Sequence, residues 1–69
     1  MGEVARNEIK YWQYRNRNGD PIFQLTSNET RTRYYLYEYD SEGGWRKLGS
    51  AKTPIDLEER YNVEDRMFE

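Results

Sequence analysis

The chain has 69 residues, 13 Asp plus Glu against 11 Lys plus Arg for a formal charge of −2, and neither Cys nor His. That length holds one domain with a thin core, because a chain this short buries only ~60% of the surface it exposes when unfolded. The missing residue types exclude disulfides, the common zinc and thiolate sites, His-based general-base catalysis and Ser-His-Asp triads.

Residues 1–7 and 64–69 are charged ends, expected to fray as a free N-terminus and a C-terminal tail. Between them, residues 8–63 read as a single β-rich domain of about four strands followed by one helix. Asn18-Gly19 is the preferred pair for a two-residue type I′ turn, in which both central positions need φ > 0. That loop sets Arg17 opposite Asp20, Pro21 opposite Asn16, Tyr14 opposite Phe23 and Trp12 opposite Leu25. Side chains alternate along a strand, so Trp12, Tyr14, Phe23 and Leu25 share an apolar face. Tyr11, Gln13, Arg15, Ile22 and Gln24 share the other.

Ser27-Asn28-Glu29 reads as a polar turn into a third strand, Thr30 to Tyr39. Arg31, Arg33, Tyr35, Tyr37 and Tyr39 point one way along it, and Thr30, Thr32, Tyr34, Leu36 and Glu38 the other. Asp40-Ser41-Glu42-Gly43 suits a type I turn closed by Gly43 in the left-handed region. The register that follows pairs Tyr39 with Trp45, Glu38 with Arg46, Tyr37 with Lys47 and Leu36 with Leu48. A turn at Gly43-Gly44 is the alternative and scrambles those faces. The first is preferred because it yields an apolar pair and an ion pair together.

The helix signal spans about residues 54–61. Thr53 is placed to cap it, Pro54 takes the first turn where a missing N–H costs nothing, and Asp56 completes a capping-box variant. Ile55, Leu57 and Tyr61 form its apolar side, and Asn62 suits a left-handed stop. A helix of two turns does not stand alone. It is expected to lie on the face holding Trp12, Tyr14, Phe23, Leu25, Leu36 and Leu48, with Val63, Met67 and Phe68 extending that packing or adding an edge segment. The fold expected is α+β: a small twisted antiparallel sheet, either open or curled into an SH3-like barrel, with one short C-terminal helix.

Hydrophobic residues make up 35% of the chain and aromatics 16%, which argues for a folded domain whose apolar area comes from rings. No apolar run approaches the ~20 residues of a membrane span, and MGEVARNE lacks the apolar stretch of a signal peptide. A soluble cytoplasmic protein without membrane contact is the expectation. No cofactor or metal is expected. Glu58-Glu59 and Glu64-Asp65 are sequence neighbours that do not converge on one substrate atom. The calcium-loop pattern starting at Asp40 fails where Ala51 replaces the bidentate Glu. Gly43-Gly44 lacks the Lys-Ser/Thr and helix of a phosphate loop. Asn28-Glu29-Thr30 fits a glycosylation pattern that short chains match by chance. The chain reads as non-enzymatic.

The sequence feature that points to function is the stripe Arg31, Arg33, Tyr35, Tyr37 and Tyr39, extended by Trp45 and Lys47. A sheet with one helix covers one face well, and Tyr, Trp and Arg dominate interface hot spots. The plain reading beside it is that the sheet curls and takes Tyr35 and Tyr37 into its core. An exposed stripe suits docking on a larger protein or stacking against single-stranded nucleic acid. Net acidity ranks protein first and nucleic acid second. A homodimer formed through the stripe and an edge strand is a third possibility.

Residues 1–36 carry six positive and four negative groups, and residues 37–69 five and nine. Asp56, Glu58, Glu59, Glu64 and Asp65 form a secondary acidic surface, read first as an ordinary solvated helix face and second as an imitation of a phosphate line; small acidic phage proteins that block host nucleic-acid enzymes resemble this chain in size and charge, and a phage or mobile-element inhibitor is the concrete form of the protein-docking expectation. In strand and helix order, residues 9–61 are similar to the small SH3-like chromatin proteins of archaea. Those proteins are strongly basic and this chain is not, so their DNA binding does not carry over.

Overall fold

The computed structural model describes residues 8–68, so the fraying expected of residues 1–7 lies outside the described residues. Four strands, β1 (Ile9–Arg15), β2 (Pro21–Ser27), β3 (Tyr34–Asp40) and β4 (Gly44–Ala51), form one antiparallel sheet in the order β1-β2-β3-β4. Two short helices follow, α1 (Pro54–Arg60) and α2 (Val63–Met67). The sheet stays open with β1 and β4 as its edges, so the barrel alternative does not form. Principal extents of 33 × 26 × 16 Å match one sheet layer under one helix layer. Among the described residues no helix is long and apolar enough to cross a membrane.

The first hairpin keeps the expected register in its middle, with Trp12 against Leu25 and Tyr14 against Phe23, but reaches it by a different turn. The loop has three residues, closed by Gly19 N–H to the Asn16 carbonyl at 3.0 Å, and Gly19 alone takes a positive φ, 87°. Asn16 decides this. Its Oδ1 accepts the N–H groups of Asn18 at 2.9 Å and Asp20 at 3.0 Å, an Asx arrangement that stabilises the tighter turn and spares Asn18 a left-handed backbone. Pro21 consequently pairs with Arg15 rather than Asn16, and a bulge at Ile22 restores the register. Ile22 packs against the core instead of sharing the polar face.

The third strand starts at Tyr34, not Thr30. Asn28 Oδ1 accepts the N–H groups of Thr32 and Arg33, and the Asn28 carbonyl accepts that of Arg31. These bonds hold residues 28–33 in a curled loop in which Arg31 has φ 57°. The second hairpin pairs Tyr39 with Trp45, Glu38 with Arg46 and Tyr37 with Lys47 as expected. Its left-handed residue is Gly44 rather than Gly43, and a register shift sets Leu36 against Gly49 instead of Leu48.

Helix α1 begins as its sequence dictates, with Asp56 N–H donating to Thr53 Oγ1 and Pro54 in the first turn. Asn62 takes the left-handed conformation that ends it, at φ 52° and ψ 45°, and α2 starts at the next residue. This second helix occupies most of the stretch read from sequence as a charged tail. It contributes Val63, which is fully buried.

Tyr14, Phe23, Leu25, Leu36, Ala51, Leu57 and Val63 form the core, with Leu48, Tyr61 and Met67 at its margin. Three expected contributors are missing: Trp12 is 60% exposed, Ile55 63% and Phe68 64%. For Trp12 the cause is the position of the helix layer. Only Lys52 and Thr53 separate β4 from α1, so α1 lies mainly over β4 and β3; it reaches Tyr14 of β1 through Glu58 but leaves Trp12 uncovered.

At Gly49 the ring of Tyr61, the residue that follows α1, packs against β4. A Cβ there would collide with the Tyr61 hydroxyl, which donates to the Leu48 carbonyl at 2.9 Å. Gly49→Ala is expected to displace the Tyr61 ring and cost about 1–3 kcal/mol, read as a lower urea midpoint. An unchanged midpoint would show that Tyr61 is not held against β4.

Candidate functional site

The seven stripe residues do not form one surface. Arg31 and Arg33 sit on the loop before β3, and the Arg31 guanidinium lies 5.7 Å from the centroid of the Tyr11 ring, which itself meets Tyr34 edge-on. Tyr35, Tyr37, Tyr39, Trp45 and Lys47 occupy the sheet face opposite the helices. Tyr35 is half-buried, Tyr39 is exposed and meets Trp45 edge-on at 5.2 Å, and Tyr37 is only 3% exposed.

Tyr37 is therefore no exposed anchor. Its hydroxyl donates to Glu8 Oε1 at 2.7 Å, the same oxygen accepts the Thr26 hydroxyl at 2.6 Å, and Lys47 Nζ reaches Glu8 Oε2 at 3.1 Å. The Glu8 side chain is 4% exposed. Burial raises its carboxyl pKa, but the bonds from Thr26, Tyr37 and Lys47 and the Lys47 charge outweigh burial and leave it lowered. Tyr37 is pushed up by burial and by the neighbouring Glu8 carboxylate. The Lys47 ammonium also stands 4.5 Å from the Tyr35 ring centroid. The middle of the stripe is thus an internally satisfied polar cluster, and among the described residues no buried side-chain polar atom lacks a partner.

The exposed end of the stripe, Tyr39 and Trp45, opens on a hollow of about 640 Å³ that Glu38 and Arg66 also line. Its Glu38 and Arg66 are matched. Glu38 holds Arg46 at 2.7 Å and Arg66 at 3.2 Å.

A different surface emerges on the helix side. On this face a groove of about 570 Å³ is lined by Trp12 and Tyr14 of β1 and by residues of the two helices. Tyr14 and Val63 lie at its base, and Tyr14 Oη donates to Glu58 Oε2 at 2.5 Å across it. Burial first, then this carboxylate, pushes the Tyr14 phenol well above its ordinary range. Trp12, Ile55 and Phe68 also line the groove and are the most exposed large apolar residues described, at 60, 63 and 64%.

Four of the five expected acidic-surface residues, Glu58, Glu59, Glu64 and Asp65, line this groove, and Asp56 stands apart on the first turn of α1. Among the described residues no cation lines it. Sequence reasoning identified the acids and missed the apolar partners, because Trp12 and Ile55 carry the pattern of core residues. Their exposure follows from where α1 lands. The chain matches no known family model, and neither a curated protein nor a solved structure is significantly similar to it.

Proposed function

We propose that this chain is a non-enzymatic protein-binding module and that the groove between β1 and the two helices is its docking surface. The observation that carries the reading is the convergence of Trp12, Ile55 and Phe68 on one groove. Scattered exposed apolar residues are ordinary, whereas large apolar side chains gathered on one concavity beside polar groups are the anatomy of an interface. Trp is the residue type most enriched among binding hot spots. The stripe serves this reading less well, because its central ring is engaged with Glu8 and its cations Arg31 and Lys47 already lie against rings or a carboxylate.

Photo-crosslinking in the source cell tests it. A benzophenone side chain at Ile55 is expected to give a discrete protein adduct that Trp12→Ala reduces by about tenfold or more, while the same group at Arg17 or Tyr39 gives none. Equal adducts from all three positions, or adducts with nucleic acid alone, would overturn the reading.

A further inference from the structure

Resting on that reading, we infer that the groove's occupant is a cationic amphipathic segment of another protein, seating an apolar side chain among Trp12, Ile55 and Phe68 and placing Lys or Arg against Glu59, Glu64 and Asp65. Charge decides the partner. The chain neutralises buried and half-buried carboxylates elsewhere, Glu8 with Lys47 and Glu38 with Arg46 and Arg66. Glu59, Glu64 and Asp65 are exposed and, like the exposed carboxylates elsewhere, make no ion pair among the described residues; what sets them apart is that they share one groove with Glu58, itself engaged by the Tyr14 hydroxyl, and with no cation among its described lining residues.

Unpaired like charges around a concavity with apolar walls at Trp12, Ile55 and Phe68 focus a negative field into it. That field repels nucleic acid, anionic lipid and acidic peptides, and it steers a basic segment toward the apolar floor. A purely apolar partner would leave the carboxylates facing one another across a newly dried surface, at a desolvation cost. A basic partner relieves both the repulsion and that cost. A second copy of this chain carries its own net charge of −2 and is disfavoured by the same field.

The test uses the full chain with Trp45→Phe, which leaves Trp12 as the sole tryptophan reporter in the groove. The probes are two synthetic peptides of equal length with Leu at the same positions and either Lys or Glu at all others. The Lys/Leu peptide is expected to shift Trp12 emission to the blue, and the Glu/Leu peptide to leave it unmoved. The triple variant Glu59→Gln, Glu64→Gln, Asp65→Asn is expected to weaken Lys/Leu binding about tenfold or more, since three local charges are lost. The variant Asp20→Asn, Glu29→Gln, Glu42→Gln removes the same net charge away from the groove and is expected to change affinity by less than about twofold.

Equal binding of the two peptides, or equal weakening by the two triple variants, would overturn the inference. So would a blue shift that develops with protein concentration alone, which would make a second copy the occupant. A protein adduct at residue 55 combined with any of these failures leaves the binding-module reading standing and removes only the basic partner.

Discussion

Leu57→Ala is expected to cost about 3 kcal/mol, lowering the thermal midpoint by roughly 12–24 °C. Leu57 is the one fully buried residue of α1 and sits in the core with Phe23, Leu25 and Leu36. Truncating it removes its transfer free energy and leaves a cavity that a two-layer structure collapses around only partly. A domain of this size rarely has more than ~3–5 kcal/mol to lose, so the variant stands near its unfolding threshold at room temperature. Ile55→Ala is the control. Ile55 lies two residues away on the same helix but is largely exposed, and the expected change is within about 0.5 kcal/mol. Both midpoints can be followed by far-UV circular dichroism. Similar losses from the two variants would mean that α1 does not pack as described.

Glu8→Gln is expected to lower stability by about 2–3 kcal/mol at neutral pH, because a charged acceptor shared by Thr26, Tyr37 and Lys47 becomes a neutral amide. Its pH dependence has a definite sign. The folded Glu8 carboxyl is lowered below its ordinary value of 4.5, so its contribution is full above that pH. It is lost as pH falls through the folded value. Tyr37 and Lys47 act at the other limit. Burial and Glu8 raise the Tyr37 phenol, whereas burial lowers Lys47 but its bonds and opposite charges leave it raised. Their contributions hold below the ordinary values of 10.0 and 10.5 and fade as pH rises through the folded ones. Thermal midpoints across the acid range should fall steeply in the native chain and more gently in Glu8→Gln. Parallel profiles for the two proteins would show that the cluster does not hold Glu8 ionised.

These two variants probe the two faces of the sheet separately. Leu57 secures the helix layer that forms one bank of the groove, and Glu8 closes the middle of the opposite face. Neither side chain lines the groove, so a folded Glu8→Gln protein is expected to retain the Lys/Leu peptide while losing stability.

What the amino-acid sequence determined by itself is local. The Thr53-Pro54-Asp56 start and the Asn62 stop of α1 follow from backbone donors that must be capped and from a residue type that tolerates positive φ. Cross-strand pairs in both hairpins follow from turn chemistry acting over a few residues. Where local signals competed, neighbouring side chains decided: Asn16 drew the first turn into a three-residue loop, and Asn28 delayed β3 to Tyr34 and carried Arg31 and Arg33 off the stripe.

Only the tertiary structure decided which rings meet water. Alternation assigns Trp12 and Tyr14 to one face and Tyr37 to the other, but it does not say how far each face is covered. The two-residue link after β4 sets α1 mainly over β4 and β3, with Glu58 reaching Tyr14, and Trp12 and Ile55 are left exposed on the groove. Glu8, 29 positions before Tyr37 in the chain, buries the phenol that strand parity alone leaves outside. Both outcomes depend on contacts between residues far apart in sequence, and no local propensity encodes them.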